Sequence, residues 1–186
     1  MERIQLLLRD VFVYKQKKEK LNVSPRTYSA LSFKAKTAGR YVSDGVACEH
    51  TPGALCLVPA DVAYRRESEE EDIYVFHFDA TPLLPREICV VQVQDVDFCL
   101  TRLETALRLW QEGGAGNYYR ASAILYELFA RVAASMEQAE PKADYLSQAK
   151  RYMEEHFSNA SLAVEYLARR AHVSPACLRR RFAESY

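Results

Sequence analysis

Ser174-Pro175-Ala176-Cys177-Leu178-Arg179-Arg180-Arg181-Phe182 is the stretch on which the reading of this chain turns. Ser174 is a natural N-cap, and Pro175 fits the first helical position, where its missing N–H costs nothing. If Leu178 and Phe182 face inward, steps of about 100° per residue turn Ala176, Arg180 and Ala183 to the opposite side, with Arg179 and Arg181 flanking. One turn upstream a shorter helix is expected. Ser161 is its expected cap, and Val164, Leu167, Ala168 and Ala171 form its apolar stripe. His172-Val173 makes the connection, with Val173 placed to staple onto Leu178.

Two capped helices joined by a short turn, the second offering guanidinium groups outward, can lay a helix in a DNA major groove. Arginine suits the task because its planar fork bonds guanine O6 and N7, or a phosphate, with two hydrogens at once. A solvated basic face on an ordinary helical hairpin is the other reading of the same three arginines.

Working outward, Tyr145-Leu146-Ser147-Gln148-Ala149-Lys150-Arg151-Tyr152-Met153-Glu154-Glu155-His156-Phe157, then Leu162 to Ala171, then Val173 to Phe182 resemble the first half of the DNA-binding domain of AraC-type (AraC/XylS family) transcription regulators. The resemblance covers some forty residues. It implies that Ala176, Arg179 and Arg180 face the groove and that Ser174 lies near a backbone phosphate; Arg181, flanking them on the helix, is expected to bind DNA through a phosphate. Domains of that family hold two helix-turn-helix units, and this sequence is expected to carry the first, ending at Glu184-Ser185-Tyr186.

Charge supports a local rather than a global grip on nucleic acid. Lys+Arg and Asp+Glu stand at 25 each, so the chain is no polycation, yet from Ser161 onward five arginines face only Glu165 and Glu184. The five cysteines, Cys48, Cys56, Cys89, Cys99 and Cys177, include no C-x-x-C pair, which fits neither a disulfide framework nor a zinc knuckle and points to a reducing, cytoplasmic setting. Met1 to Asp10 is interrupted by charge before reaching signal-peptide length, and no stretch approaches the ~20 apolar residues of a membrane span.

Upstream of about Val93 the pattern is mostly that of strands. Arg26 to Lys36 alternates polar and apolar, Tyr41 to Cys48 brackets an Asp44-Gly45 turn, and Pro52-Gly53 opens Ala54 to Val58. Asp72 to Phe78 and Ile88 to Val93 are further strands. Short strands at this spacing predict an antiparallel barrel or sandwich. The Pro52-Gly53 to Pro59 turn followed by His77-Phe78 is similar to the cupin-like effector domain that AraC-type regulators carry ahead of their DNA-binding half. The resemblance implies an α+β chain: a cupin-like β-barrel over 1–95, a helical dimerisation hairpin over 96–138, a linker over 139–144 and the partial helix-turn-helix domain over 145–186.

A barrel of this size can hold one small ligand, and Lys34, Tyr64 and His77 are the polar residues expected to face its cavity. For Lys34 and Tyr64 a solvated strand face or rim is the alternative. For His77, flanked by Phe76 and Phe78, it is a core histidine. A metal enzyme would need several His with a carboxylate on one ion, and only His50 and His77 lie in this region, so no metal, cofactor or catalytic residue is expected. Nor is there a G-x-S-x-G elbow, a phosphate loop or an H-E-x-x-H pair. Glu67 to Asp72 reads as a solvated acidic loop.

From about Asp97 the apolar period becomes helical, with one helix through Phe98, Leu103 and Trp110 ended by Gly113-Gly114, and a second from Tyr118 to Met136. The stripe Ala121, Ile124, Leu125, Leu128 and Val132 is expected either to pair two chains or to pack back on the barrel. The resemblance favours the dimer. The resemblance thus implies a DNA-binding regulator, a homodimer without membrane contact, whose barrel senses a small effector such as a sugar or related metabolite. A ligand-binding or enzymatic barrel with a helical docking tail, and a dimerising regulator without an effector, are the other readings.

Overall fold

The computed structural model describes residues 4–138, 145–156, 163–170 and 174–185. The linker expected over 139–144, the Ser161 cap and the Val173 staple lie outside them. Among the described residues the strands are β1 (Gln5–Gln16), β2 (Glu19–Val23), β3 (Ser29–Lys34), β4 (Gly39–Ser43), β5 (Val46–His50), β6 (Ala54–Val58), β7 (Tyr64–Ser68), β8 (Glu71–Thr81) and β9 (Cys89–Gln92). The helices are α1 (Val96–Glu112), α2 (Ala115–Gln138), α3 (Tyr145–Glu155), α4 (Val164–Arg170) and α5 (Pro175–Ser185). The chain divides into two compact units, one built on the strands with α1 and most of α2, the other on α3, α4 and α5.

The strands do not close into the expected barrel. They form two antiparallel sheets, ordered β1-β8-β3-β6-β9 and β2-β7-β4-β5. Closure would require the edges of the two sheets to pair with a matching stagger. Instead β1 runs alongside β8 from Gln5↔Thr81 to Gln16↔Glu71, with a bulge between Leu8 and Asp10, while the next strand, β2, pairs β7 of the other sheet. The Asp44-Gly45 turn is as expected: both residues have positive φ (51° and 79°), the conformation of a tight two-residue hairpin loop.

Alternation along each strand of the larger sheet sorts its side chains onto two sides. Leu31 and Phe33 of β3, Leu55 and Leu57 of β6, and Phe76 and Phe78 of β8 point to one side, where α1 and α2 cover them. Helix α1 is capped at its start by Asp95, whose carboxylate accepts from the Phe98 N–H at 2.8 Å, and at its end by Gly113. The five residues expected at a dimer interface are buried here instead. Ala121, Ile124, Leu125, Leu128 and Val132 are each 2% exposed or less, and they sit in the same cluster as the sheet's leucines and phenylalanines. The reason is area: each fully buried large apolar side chain contributes about 2 kcal/mol, and the sheet's own apolar side needs this cover.

The helices also bond to the outer edge of β1. The Tyr126 hydroxyl accepts from the Leu6 N–H at 2.7 Å and lies 3.2 Å from the Leu6 carbonyl oxygen, and the Tyr118 hydroxyl donates to the Leu8 carbonyl at 3.3 Å. No helix among the described residues is long and apolar enough to cross a membrane.

Candidate functional site

The other side of the larger sheet faces the smaller one and is lined differently. Pairing register places Phe12, Tyr14 and Gln16 of β1 opposite Val75, Ile73 and Glu71 of β8, and Lys34 of β3 opposite Ala54 of β6. From the smaller sheet come Tyr41 of β4, His50 of β5, and Tyr64, Arg66 and Ser68 of β7. Charged and amide groups are therefore deeply enclosed: Gln16, Lys34, His50, Arg66, Ser68 and Glu71 are all buried.

Lys34 is 1% exposed, and its Nζ donates to Gln16 Oε1, whose own Nε2 donates to the Glu69 carbonyl at 2.9 Å. Burial pulls the Lys34 ammonium down to about 8, with Arg66 pushing the same way. Burial likewise pushes the Cys56 thiol up to about 12 and holds the buried Tyr41 hydroxyl well above the usual phenol value. Glu71, read from the sequence as part of a solvated acidic loop, is 6% exposed. Its carboxylate accepts from the Lys36 N–H at 2.6 Å, the Thr37 N–H at 3.1 Å and the Thr37 hydroxyl at 2.6 Å. The turn to β8 is short enough that the run's last glutamate already belongs to a strand.

Arg66 Nη2 bonds Glu19 at 3.0 Å and the Tyr14 hydroxyl at 3.3 Å, and the guanidinium lies over the Tyr14 ring at 5.2 Å. Its Nε, together with Arg26 Nη2 and His50 Nδ1, is buried without a hydrogen-bond partner. Buried polar atoms left unpaired in this way cost about 1–3 kcal/mol each. His50 lies against Gly39, where an added Cβ would stand 2.5 Å from its Nε2. Burial, and then Lys34, hold its imidazole down to about 4, so it is neutral at pH 7.

The three residues expected to line a cavity all lie on this inward side, in separate neighbourhoods. Lys34 meets Gln16. Tyr64 packs on Tyr41, ring centroids 5.7 Å apart, with the Arg26 guanidinium 5.9 Å over its ring. His77, opposite Ala30 and so four residues along β3 from Lys34, sits between Phe12 and Tyr28 at 4.9 and 4.5 Å. Burial, and then Arg26, hold it down to about 4. No hydrogen bond or ring contact joins any two of the three among the described residues. Gln16, Glu71, Arg66 and Tyr41 escaped the sequence reading. The signal for Gln16 was its two-residue spacing from Phe12 and Tyr14. Among the described residues no three His, Cys, Asp or Glu side chains are grouped to hold a metal ion.

In the second unit Leu146, Ala149, Leu167, Ala168 and Leu178 form a small core, with Tyr152, Met153, Val164 and Phe182 packed around it. Helix α4 begins at Val164, with Ala163 accepting the Leu167 N–H. Helix α5 begins after Ser174, whose carbonyl accepts the Leu178 N–H at 3.0 Å. With Leu178 turned inward, Ala176, Arg179 and Arg180 are exposed, as is Ser174. Arg179 Nη2 pairs with Glu165 of α4 at 3.2 Å, both side chains largely in water. The Arg181 side chain lies outside the described residues.

A chain with this order of parts, two antiparallel sheets, a helix pair packed on one of them and a trailing three-helix unit, has a counterpart among solved structures. The AraC-like transcriptional activator CuxR matches with a TM-score of 0.54 at 14% sequence identity, over 95% of this chain and 76% of its own. ToxT from Vibrio cholerae matches over 98% of this chain and 76% of its own, at 7% identity and a TM-score of 0.43, a level that does not define a shared fold. No family model matches the sequence, and no curated protein does. The likeness to CuxR is one of fold.

Proposed function

We propose that this chain is a transcription regulator that reads duplex DNA with α5 and senses a small molecule between its two sheets. The observation that carries the reading is the pairing of α4 with α5. Leu167, Ala168 and Leu178 hold the two helices together while Ala176, Arg179 and Arg180 of α5 remain exposed beside Ser174. A short helix with small and guanidinium groups outward fits a major groove, arginines reaching base edges or phosphates. A fold shared with an AraC-like transcriptional activator agrees with that use.

The ligand site in this reading is the polar interior between the sheets, with Lys34 and Tyr64 facing it and His77 at one end. Two copies pair through the outward side of α1 and α2, where Tyr119 stands 70% exposed, because the inward stripe is committed to the sheet. Ligand then changes how two DNA-binding units are presented, which shifts operator occupancy. Selection from a random DNA pool at low and physiological salt tests the reading. A defined enriched site, lost with Arg179→Ala, is the expected result. Loss of equal size on selected and random DNA would remove base reading by Arg179.

A further inference from the structure

Lys34 is a buried cation that forms no ion pair among the described residues. Fully buried lysines are nearly always paired, because an isolated charge out of water is costly. Here the ammonium bonds the neutral amide of Gln16. The carboxylate of Glu71 on the adjoining strand hydrogen-bonds Lys36 and Thr37 and attracts Lys34 only from beyond ion-pair distance, and that of Glu19 pairs with Arg66. Among the described residues no carboxylate lies within ion-pair distance of Lys34. Facing it from the smaller sheet, Arg66 is 8% exposed and keeps its Nε without a partner. The walls nearby are aromatic and apolar, from Tyr14, Tyr41, Tyr64 and Ile73.

We propose that the polar interior between the sheets takes a small organic anion, a carboxylate or phosphate ester, its acidic group held by Lys34 Nζ and Arg66 Nε and its body lying along Tyr14, Tyr41 and Tyr64. The proposal rests on the effector-sensing reading above and names the effector's chemical class. A neutral polyol would satisfy Arg66 Nε and leave the ammonium without an ion pair, whereas an anion answers both. Lys34 belongs to the larger sheet and Arg66 to the smaller, so the ligand would bridge two sheets that no strand pairing joins among the described residues. That gives binding a mechanical consequence.

The test is a thermal-shift titration of the whole chain with a panel of aromatic and straight-chain carboxylates and phosphate monoesters. Each acid is run beside its neutral amide or alcohol, and inorganic phosphate is run alone. At least one acid is expected to raise the melting temperature saturably, with its neutral partner at least tenfold weaker. Which acids act distinguishes carboxylate from phosphate, and a response to inorganic phosphate equal to that of the esters removes the role of the aromatic walls. Affinity should fall as pH rises through about 8, where Lys34 loses its charge. Cys56, at about 12, and His50, at about 4, face Lys34 from β6 and β5 and do not change charge there, while Glu71 and Arg66 face it from β8 and β7. Lys34→Met should weaken the acid tenfold or more, and the pH profile of the unaltered chain tests the same ammonium should that variant not fold. No binding by any acid, equal binding of acids and neutral partners, or an unchanged Lys34→Met response overturns the proposal. An acid that binds while no DNA is enriched supports the anion site and removes the regulator reading, and DNA enrichment without any acid binding does the reverse.

Discussion

The two sides of the five-stranded sheet are made by the same strands and could hardly be more different. On β3, Leu31 and Phe33 enter a packed apolar layer under α1 and α2, while Ser32 and Lys34, one residue away in each case, enter a polar interior between the sheets. On β8, Phe76 and Phe78 are wholly buried against the helices, while His77 between them faces the other way, toward Phe12 and Tyr28. A two-residue period thus lets one strand carry stability on one side and chemistry on the other, with little interference between them.

That contrast can be broken most severely from the helix side. Phe76→Ala should destabilise the first unit by about 3–5 kcal/mol through lost burial and an uncollapsed cavity, read as a lower urea midpoint with unchanged slope. A loss under about 1 kcal/mol would mean that this layer is not close-packed.

From the inward side the sign should reverse. The folded Lys34 pKa, about 8, lies below the ordinary 10.5, so the unfolded chain holds more protons between those values. Stability should therefore rise with pH from about 8 to about 10.5, and below pH 8 the folded state carries a penalty on the order of 3 kcal/mol. Lys34→Met should stabilise the chain at pH 7 and flatten that rise in the difference between variant and parent. Equal pH profiles for the two would show that Lys34 is not the group responsible.

Smaller effects sharpen the boundary between the sides. Tyr126→Phe removes the hydroxyl that bonds the Leu6 backbone and should cost about 1–2 kcal/mol in a denaturant melt. Arg179→Ala should cost well under 1 kcal/mol of stability, since its pair with Glu165 is exposed, while weakening discrimination at one base pair of a selected site by about 1–3 kcal/mol. The two readouts together separate an arginine that holds α4 to α5 from one that reads DNA.

Much of this was legible in the sequence where a local rule suffices. Asp44-Gly45 requires a tight turn, Gly113-Gly114 ends a helix, and Ser174-Pro175 starts one, each because of its own backbone preference. What was not legible depended on partners distant in sequence. The stripe from Ala121 to Val132 is equally suited to a second chain or to the sheet, and only the apolar side of β3, β6 and β8 decides between them. Glu71 looked solvated because five acidic or polar neighbours precede and follow it, yet the pairing of β1 with β8 carries it inside, opposite Gln16. Barrel closure is likewise a property of edges, which no single strand announces.

One such edge is already accounted for. Along the outer rim of β1 the hydroxyls of Tyr118 and Tyr126 occupy backbone groups of Leu6 and Leu8 that an additional strand would need. Side chains from a helix thereby act as a terminator for sheet growth. Exposed strand edges are where added strands pair, and the two phenols leave less of this stretch of rim open to one.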